Sequence, residues 1–293
     1  MMAAPQDAAP PTVGGALAAA VARLAAAGVA EARANAEVLL AHALGTTRTG
    51  LVLMARRPLE DEAARRYALL VDRAAAREPV HYLVGEREFW SMPLAVDARV
   101  LIPRPVTELL VETALRVAPD ARRICDVGTG SGAIAAALAR ERPDAAVWAS
   151  DCDRGALRVA RGNLGRHASG VRLVCADLVS AFRRAAFDLV VANLPYVADT
   201  DLPTLAPEVR DHEPRLALSG GPDGLAVLRR LVAGVSAVLA PAGWLVLECG
   251  RGQAAGVCAA LAAAGGFAES MVVRDGDGME RVIAAQAVPE RMR

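Results

Sequence analysis

Hydrophobic and polar positions divide the chain into an N-terminal part with helical spacing and a longer part in which apolar strands alternate with helices. From Gly15 to about Arg77, apolar residues recur every three or four positions, as in helices that bury one face. From Arg123 onward, short apolar and β-branched runs are separated by helical segments, the order typical of a parallel sheet. The pattern predicts a small helical bundle followed by an α/β domain.

The same pattern predicts four segments. The first twelve residues contain three prolines and lack the basic and apolar stretches of a signal peptide, so a disordered tail is expected. The helical part carries no catalytic constellation, and its best functional role is to grip a macromolecular substrate. The predicted segments are the disordered tail 1–12, the helical substrate-docking domain 13–78, the hairpin and loop connector 79–105, and the α/β domain 106–293.

The α/β domain is predicted to contain a mostly parallel seven-stranded sheet with a C-terminal antiparallel hairpin. Helical segments separate the earlier strands, and crossovers of this kind join parallel strands. Only Asp275–Gly278 separates the last two strands, and its Asp-Gly pairs indicate a hairpin turn. The predicted strands begin near Arg123, Val147, Val171, Phe187, Trp244, Phe267 and Glu280.

Composition narrows the classes of function. The 33 basic and 33 acidic residues cancel, so no charge excess indicates a nucleic acid or an anionic membrane as partner. The uncharged run Leu231–Leu247 is interrupted by Pro241 and Gly243 and is short for a membrane span. Five cysteines without C-x-x-C spacing favour free thiols in a reducing cytosol. The sequence therefore predicts a cytoplasmic protein with no membrane span, no metal and no direct nucleic-acid partner.

A glycine-rich turn follows the first strand of the α/β domain. Gly128, Gly130 and Gly132 allow the backbone to turn tightly and to approach a ligand, and the next helix offers its first N–H groups. Asp151, at the end of the second strand, can accept hydrogen bonds from ribose hydroxyls. NAD and S-adenosylmethionine both fit these residues, because the glycines with Ala133 also satisfy the dinucleotide fingerprint.

The buried run that begins at Phe187 ends abruptly in Asn193-Leu194-Pro195-Tyr196. Pro195 cannot continue a central strand, so a carboxamide, a free carbonyl and an aromatic ring gather at the edge of the sheet where ligands bind. An amide or exocyclic amine nitrogen is a poor nucleophile because its lone pair is delocalised. A site that accepts both N–H hydrogens, on the Asn193 oxygen and on a carbonyl near Pro195, favours a geometry in which the lone pair can attack. Tyr196 could hold the planar group by stacking.

Two further features favour S-adenosylmethionine over NAD. Asp177, after the third strand, is positioned to meet an adenine amino group. Hydride transfer has no use for an amine-accepting site at the end of the fourth strand. The chain also contains no lysine, which excludes lysine-based catalysis.

With these motifs the chain resembles the release-factor glutamine methyltransferases, the HemK/PrmC family, from about Gly15 to Ala285. The joint occurrence of several blocks is far more specific than any one block. The blocks are Glu86–Leu94, Leu101–Pro105 with Thr107-Glu108, Asp126–Ala133, Asn193–Tyr196, Glu213-Pro214 with Ala217-Leu218, and Gly220-Gly221 with Asp223–Leu225.

The resemblance implies that a Rossmann-like S-adenosylmethionine-dependent methyltransferase domain follows the helical bundle in the sequence. Members of the family methylate the side-chain nitrogen of the glutamine in the Gly-Gly-Gln tip of peptide chain release factors, so release factors are the expected partners of an expected monomer. The implied cofactor-binding residues are Asp126, Gly128, Thr129, Gly130, Gly132, Asp151, Asp177, Leu178 and Asn193. The implied catalytic residues are Asn193, Pro195 and Tyr196. The implied substrate-binding residues are Asn193, Leu194, Pro195, Tyr196, Phe89 and Arg104, with Phe89 and the 102–105 loop lining the pocket.

Two residues depart from the family's pattern. Leu194 replaces the first proline of the usual Asn-Pro-Pro-Tyr, and Val106 stands where an acidic residue is usual before Thr107. Asn-Leu-Pro-Tyr is similar to the site of ribosomal RNA adenine dimethyltransferases, whose target amine has similar geometry. The flanking blocks and the neutral charge favour glutamine, with Leu194 as a tolerated variation.

Three alternatives remain at this stage. An adenine N(6)-methyltransferase acting on RNA or DNA would require a basic, aromatic-rich cleft. The same catalytic residues could serve glutamine methylation of a ribosomal protein. A cofactor-binding protein in which Leu194 has impaired catalysis would bind S-adenosylmethionine without transferring its methyl group. The fold alone does not choose among them.

Overall fold

The computed structural model describes residues 11–268 and 270–288, which separate into two compact units. The smaller unit contains residues 11–85 together with the short segment 207–212. The larger unit contains residues 86–206 and the described residues from 213 onward.

The smaller unit is a helical bundle, as the spacing of apolar residues predicts. Its helices in the N-terminal part are α1 (Val13–Ala26), α2 (Ala32–Leu44), α3 (Arg48–Met54), α4 (Asp61–Ala75) and α5 (Val80–Val84). Leu24, Leu39 and Leu40 are fully buried at its centre. Tyr67 donates its hydroxyl hydrogen to the Ala36 carbonyl over 3.1 Å, which satisfies the polar end of a buried ring.

The N-terminal end of α1 differs from the expected tail. Residues 1–10 lie outside the described residues. Thr12, which the sequence pattern assigns to the disordered tail, instead caps α1 by accepting a hydrogen bond from the Gly15 N–H over 3.1 Å. Thr12 also forms a bridge with Pro58. The ordered bundle therefore includes this residue.

The segment 207–212 belongs to the smaller unit through Arg77. This side chain donates from Nε to Glu208 Oε2 over 3.0 Å and from Nη1 to the Ala27 carbonyl over 3.2 Å. Both partners of the Arg77–Glu208 ion pair are largely shielded from solvent. A shielded pair with several hydrogen bonds contributes more than a surface pair, so this contact helps to hold the segment against the helices.

The larger unit contains a two-stranded hairpin and a seven-stranded sheet within the described residues. Its strands are β1 (Glu86–Phe89), β2 (Met92–Ala95), β3 (Arg123–Val127), β4 (Ala146–Asp151), β5 (Arg172–Cys175), β6 (Phe187–Ala192), β7 (Leu239–Glu248), β8 (Met271–Arg274) and β9 (Glu280–Gln286). The sheet has the order β5-β4-β3-β6-β7-β9-β8. Strands β3 to β7 run parallel, and β9 and β8 are antiparallel. The predicted fold class is confirmed.

The order of the strands determines where a ligand can bind. Successive strands run outward from β3 in one direction through β4 and β5, and in the other through β6 and β7. Val127, the last residue of β3, lies opposite Ser150 of β4 and Ala192 of β6. The strand order therefore reverses at β3, and in open parallel sheets the crevice beyond such a reversal is the usual ligand site.

Helices cover both faces of this sheet. The helices are α6 (Glu108–Val117), α7 (Ala133–Glu141), α8 (Arg154–His167), α10 (Ala226–Val238) and α11 (Ala254–Ala264), while the single turn α9 (Pro207–Arg210) lies in the smaller unit. Neighbouring residues of β3 alternate between the two faces, with Ile124 in the cluster under α6 to α8 and Cys125 in the cluster under α10 and α11. Both are fully buried, as apolar strands of a parallel sheet require. Among the described residues, no helix is long and apolar enough to cross a membrane.

The predicted hairpin is present, and it places Phe89 differently from expectation. Phe89 and Met92 pair at the end of β1 and β2, with only Trp90 and Ser91 between them. Phe89 is 2% exposed and packs with Met92 and Leu94 in the core under α6 to α8. The expectation that Phe89 lines the pocket is therefore not met, because the hairpin turns this ring into the core.

The hairpin turn itself is strained. Trp90 and Ser91 have φ values of 52° and 54°, which lie in the left-handed region. The turn is held by Glu108, whose Oε1 accepts from the Trp90 backbone N–H over 2.8 Å, and by Glu141, whose Oε1 accepts from the Trp90 indole over 2.8 Å. Ser91 is exposed, so its hydroxyl gains little from this geometry.

Replacing Ser91 with glycine should stabilise the fold. The S91G substitution removes the left-handed strain, and we expect the free energy of unfolding to rise by roughly 0.5 kcal/mol after the greater freedom of glycine in the unfolded chain is subtracted. The matched control is Ser236→Gly inside α10, which should lower that free energy by about 0.5–1 kcal/mol. Urea denaturation of both variants measures the two changes. A loss of stability in S91G as large as that in S236G would show that the turn is not strained.

Candidate active site

A cavity of about 200 Å³ opens at the carboxyl edge of the parallel strands. Each of four strand ends contributes a short segment to its wall. These segments are 128–131 after β3, 151–153 after β4, 176–178 after β5 and 193–195 after β6. The loop before α6 contributes further residues, including Arg99, Arg104 and Thr107. The strand-end motifs found in the sequence therefore meet at one site.

The glycine turn after β3 requires glycine for two different reasons. Gly128 has a φ of +74°, and a Cβ placed there would stand 2.8 Å from Leu194 Cδ2. Gly132 has a φ of +83°, and a Cβ there would stand 3.3 Å from Ala160 and Leu164 of α8. Gly130 has a φ of +54° and open space where a Cβ would be. The turn is thus packed against β6 and α8 at its ends and open to the cavity in its middle.

Asp126 supports this turn from the inside of the protein. Its Oδ2 accepts hydrogen bonds from Thr129 Oγ1 over 2.6 Å and from the Ala135 N–H over 3.2 Å. The side chain is fully buried, and burial raises the pKa of Asp126 to about 7 against the effect of these hydrogen bonds. Asp126 does not itself line the cavity. It holds the turn in place, and its other oxygen, Oδ1, has no hydrogen-bond partner among the described residues.

Two carboxylates do line the cavity. Asp151 accepts from the Gly130 N–H and from the Asp153 N–H, each over 2.9 Å, and burial raises its pKa. These bonds orient the carboxylate beside the glycine turn, where it remains able to accept from hydroxyl groups. Asp177 is exposed and forms an ion pair with Arg230 at the cavity mouth. The next residue, Leu178, adds an apolar wall.

The Asn193 side chain lies in the cavity wall with its nitrogen engaged. Its Nδ2 donates to Thr107 Oγ1 over 3.2 Å. The carboxamide oxygen, Oδ1, is thereby left as an acceptor. Leu194 is 4% exposed and lies against Gly128, while Pro195 also lines the cavity.

Tyr196 stands behind these residues and is not part of the cavity wall. Its hydroxyl donates to Glu248 Oε1 over 3.4 Å, and its backbone carbonyl accepts from Gln253 Nε2 over 2.8 Å. Burial, the charge of Glu248 and this hydrogen bond raise the pKa of Tyr196 to about 12, so the phenol stays protonated at neutral pH. The structure holds Tyr196 in a fixed position beside the site, but it does not bring the ring into the described cavity.

The loop before α6 places two further residues. Arg104 lines the cavity and donates from Nη2 to Glu213 Oε1 over 2.5 Å, and the side chain of Glu213 is 1% exposed. Thr107 directly precedes α6, but its side chain forms no cap hydrogen bond. Its hydroxyl accepts from Asn193 instead, because a 3-10 turn at Pro105–Thr107 directs it towards the end of β6.

Most of the residues proposed from the sequence come together at the cavity. Those in its wall are Gly128, Thr129, Gly130, Asp151, Asp177, Leu178, Asn193, Leu194, Pro195 and Arg104. Asp126, Gly132 and Tyr196 support the wall from behind, and Phe89 lies in the core. Sequence reasoning missed the polar contact of Thr107 and the buried carboxylate of Glu248. A weak signal existed for Glu248, an acidic residue that directly follows the apolar run of β7.

Known protein families match both parts of the chain. A family model described as the PrmC N-terminal domain matches residues 15–85, and one described as the methyltransferase small domain matches residues 105–210. The release factor glutamine methyltransferase of Geobacter sulfurreducens is 42% identical over 259 residues, which cover 88% of this chain and 91% of that protein. The one from Cereibacter sphaeroides is 44% identical over 273 residues, covering 92% and 97%. The chain belongs to the release factor glutamine methyltransferase family.

Solved structures agree at the level of the fold. A methyltransferase from Pyrococcus furiosus superposes with a TM-score of 0.52 and 17% identity over 76% of this chain and 98% of its own. The hMettl16 catalytic domain superposes with a TM-score of 0.57 and 16% identity, covering 74% and 84%. Family membership makes the chain a methyltransferase. This decides the choice between hydride transfer and methyl transfer that the glycine turn alone left open.

Contact between the glycine turn and Leu194 predicts unequal effects of alanine at two glycines. Both G128A and G130A force a left-handed alanine, but only G128A also drives a methyl group into Leu194. We expect G128A to lower the free energy of unfolding by about 1–3 kcal/mol more than G130A does. The cost of G128A should shrink in a Leu194→Ala background. An equal loss of unfolding free energy in G128A and G130A, or an unchanged loss for G128A in the Leu194→Ala background, would show that Gly128 does not pack against Leu194.

Burial of Asp126 predicts a distinct dependence of stability on pH. Because its pKa is raised from 3.8 to about 7, the protonated form is favoured in the folded state. Its contribution to stability is complete below pH 3.8 and is lost as the pH rises to about 7. The unfolding free energy of the wild type relative to D126N should therefore fall over this range, by about 1.4 kcal/mol for each unit of pKa shift.

Asp188→Asn is the control for this measurement. Against the effect of burial, hydrogen bonds from Arg123 and Arg122 lower the pKa of Asp188. The wild type should therefore gain stability relative to D188N as the pH rises through the acidic range. Denaturant titrations between pH 3.5 and 8 give both slopes. The same slope for the two variants would contradict the proposed state of Asp126.

Proposed function

We propose that this protein transfers a methyl group from S-adenosylmethionine to the side-chain amide nitrogen of the glutamine in the Gly-Gly-Gln motif of peptide chain release factors. Two findings support the proposal: membership in the family, and the orientation of Asn193 in the cavity wall. With Nδ2 bound to Thr107, the Oδ1 atom of Asn193 is available to accept an N–H hydrogen from an amide substrate.

The cavity fits S-adenosylmethionine in the chemistry of its wall. The Asp151 carboxylate can accept from ribose hydroxyls, Asp177 from an adenine amino group, and Leu178 offers an apolar contact for a ring. The glycine turn leaves open space at Gly130 for the rest of the molecule. When bound there, S-adenosylmethionine supplies an electrophilic methyl group carried on a sulfonium.

The residues after β6 would prepare the substrate amide. Asn193 Oδ1 and the Pro195 carbonyl would each accept one N–H hydrogen of the glutamine amide. Accepting both hydrogens favours a geometry in which the nitrogen lone pair is withdrawn from the carbonyl and directed at the methyl group. The nitrogen would then take the methyl group as its carbon–sulfur bond breaks, with S-adenosylhomocysteine as the leaving group, and would release one proton to water. No general base among the cavity residues is required, because an amide that has gained a methyl group in this way is a strong acid.

Leu194 does not disturb this arrangement. Its side chain is buried against Gly128. The Asn193 side chain and the Pro195 backbone remain as the family's pattern has them. The second departure, Val106, is half-buried within the 3-10 turn before α6 and directly precedes Thr107.

A methyl-transfer assay with three acceptors tests the proposal. The purified protein is incubated with radiolabelled S-adenosylmethionine and a release factor, its Gln→Ala tip variant, or bulk ribosomal RNA. We expect label in the wild-type factor alone, and a loss of roughly 10²–10³-fold in kcat for Asn193→Ala. Binding of S-adenosylmethionine to that variant, followed by calorimetry, shows whether the cofactor site is intact.

The other outcomes identify the alternatives. Label in RNA alone would overturn glutamine in favour of adenine. Label in a ribosomal protein but in no release factor would change the substrate while keeping the chemistry. Cofactor binding without label in any acceptor would indicate that Leu194 has impaired catalysis. We further expect a monomer in solution, which sedimentation measures directly.

A further inference from the structure

Glu248 is a buried acid at the end of a strand that borders the site. It is the last residue of β7 and is 1% exposed. Ala192 of β6 lies opposite Leu247 of β7. The next residues, Asn193 and Glu248, are therefore side by side at the ends of the two strands. Removing a carboxylate from water costs several kcal/mol unless partners compensate, so its presence here requires an explanation.

The neighbours of Glu248 are the polar residues of the site. Tyr196 donates to Oε1 over 3.4 Å. Burial raises the pKa of Glu248, and the neutral donors Thr107, Tyr196 and Asn193, together with the charge of Arg281, act in the opposite direction. Oε2 has no hydrogen bond of normal geometry among the described residues. Arg281 also forms an ion pair with Asp275 over 2.9 Å.

The Glu248 carboxylate does not reach the substrate site itself. It is not one of the residues that line the cavity, whereas Thr107 and Asn193 both are. Any effect on the reaction must therefore pass through these neighbours. The chemistry of the three groups shows how it does so.

A carboxylate only accepts hydrogen bonds, whereas a hydroxyl has one hydrogen to donate and can accept in return. A buried Thr107 hydroxyl that directs its hydrogen at Glu248 would leave Thr107 Oγ1 to accept. Its partner is the donor end of Asn193, over 3.2 Å. The nitrogen of Asn193 is then directed at Thr107, and its oxygen remains for the cavity.

We propose that Glu248 is a positioning residue that acts through Thr107 to fix the amide of Asn193 with its oxygen available to the substrate. This inference rests on the proposed function of Asn193 as the acceptor of an N–H hydrogen. A neutral amide in place of the carboxylate can donate as well as accept. It can therefore reverse the Thr107 hydroxyl and, with it, the Asn193 amide.

The E248Q substitution tests the direction of these hydrogen bonds while preserving the size of the side chain. For E248Q we expect kcat to fall by about 10- to 100-fold, as for other residues that orient a binding group, with S-adenosylmethionine affinity within about twofold of the wild type. Thr107→Val should cause a similar fall in kcat, and Thr107→Ser, which keeps the hydroxyl, should recover most of it. The E248Q/T107V double variant should lose little more than either single variant, because both changes break the same chain of hydrogen bonds.

Glu280→Gln is the matched control. Glu280 lies on β9, pairs with Arg274 over 2.6 Å and does not line the cavity. We expect it to retain the kcat of the wild type. Thermal denaturation of all variants shows whether a loss of activity follows a loss of folding. E248Q should not be less stable than E280Q by more than about 1 kcal/mol, because it removes a buried charge without changing volume.

A second readout does not depend on the substrate. The side-chain amide signals of Asn193 in ¹H–¹⁵N spectra, identified by their absence in Asn193→Ala, should shift in E248Q and T107V and stay in place in T107S and E280Q. Unchanged Asn193 signals in E248Q would overturn the inference, as would a wild-type kcat in that variant. If the wild-type enzyme methylates no release factor, the proposed function fails, and the Asn193 signals still decide whether Glu248 fixes this amide.

Discussion

An amide side chain presents a donor and an acceptor of almost the same size, so its direction in a site depends on its hydrogen-bond partners. In this protein the donor end of Asn193 is engaged by Thr107, and the buried acid Glu248 lies at the end of the neighbouring strand. The proposed handling of a substrate amide depends on this polarity, because a reversed Asn193 would present N–H groups to the N–H groups of its substrate. A buried charge that would otherwise only cost solvation free energy thus has a role at the site.

The sheet brings these residues together from distant parts of the chain. Thr107 precedes α6, Asn193 follows β6 and Glu248 ends β7, and parallel register places the ends of the two strands side by side. The glycine turn after β3 approaches the same strand end so closely that a Cβ at Gly128 would contact Leu194. Residues that would hold the cofactor and residues that would bind the substrate therefore share one set of packing contacts, and displacement of either would move the other.

Local patterns in the sequence predicted much of this arrangement, and non-local contacts accounted for the errors. The glycine turn and the strand ending in Asn193 were predictable because turn residues and apolar runs act within a few positions. Thr107 directly precedes α6, a position typical of a helix cap, but its hydrogen-bond partner, Asn193, is 86 residues away in the sequence. Phe89 was expected in the pocket, but the burial of its ring depends on helices that follow the hairpin. Glu248 follows an apolar run, and period alone does not distinguish a buried acid from an exposed one at a strand end.

Leu194 shows how packing can replace a covalent constraint. A proline at this position would restrict the backbone and favour the folded state by about 0.4–1 kcal/mol. Leucine lacks that restriction, but it is 4% exposed and packs against the glycine turn, and burial of such a side chain is worth about 1.5–3 kcal/mol. This packing helps to hold the backbone that carries the Asn193 and Pro195 acceptors, together with the strand. The departure therefore affects the packing against Gly128, and it gives no physical reason to assign a different substrate.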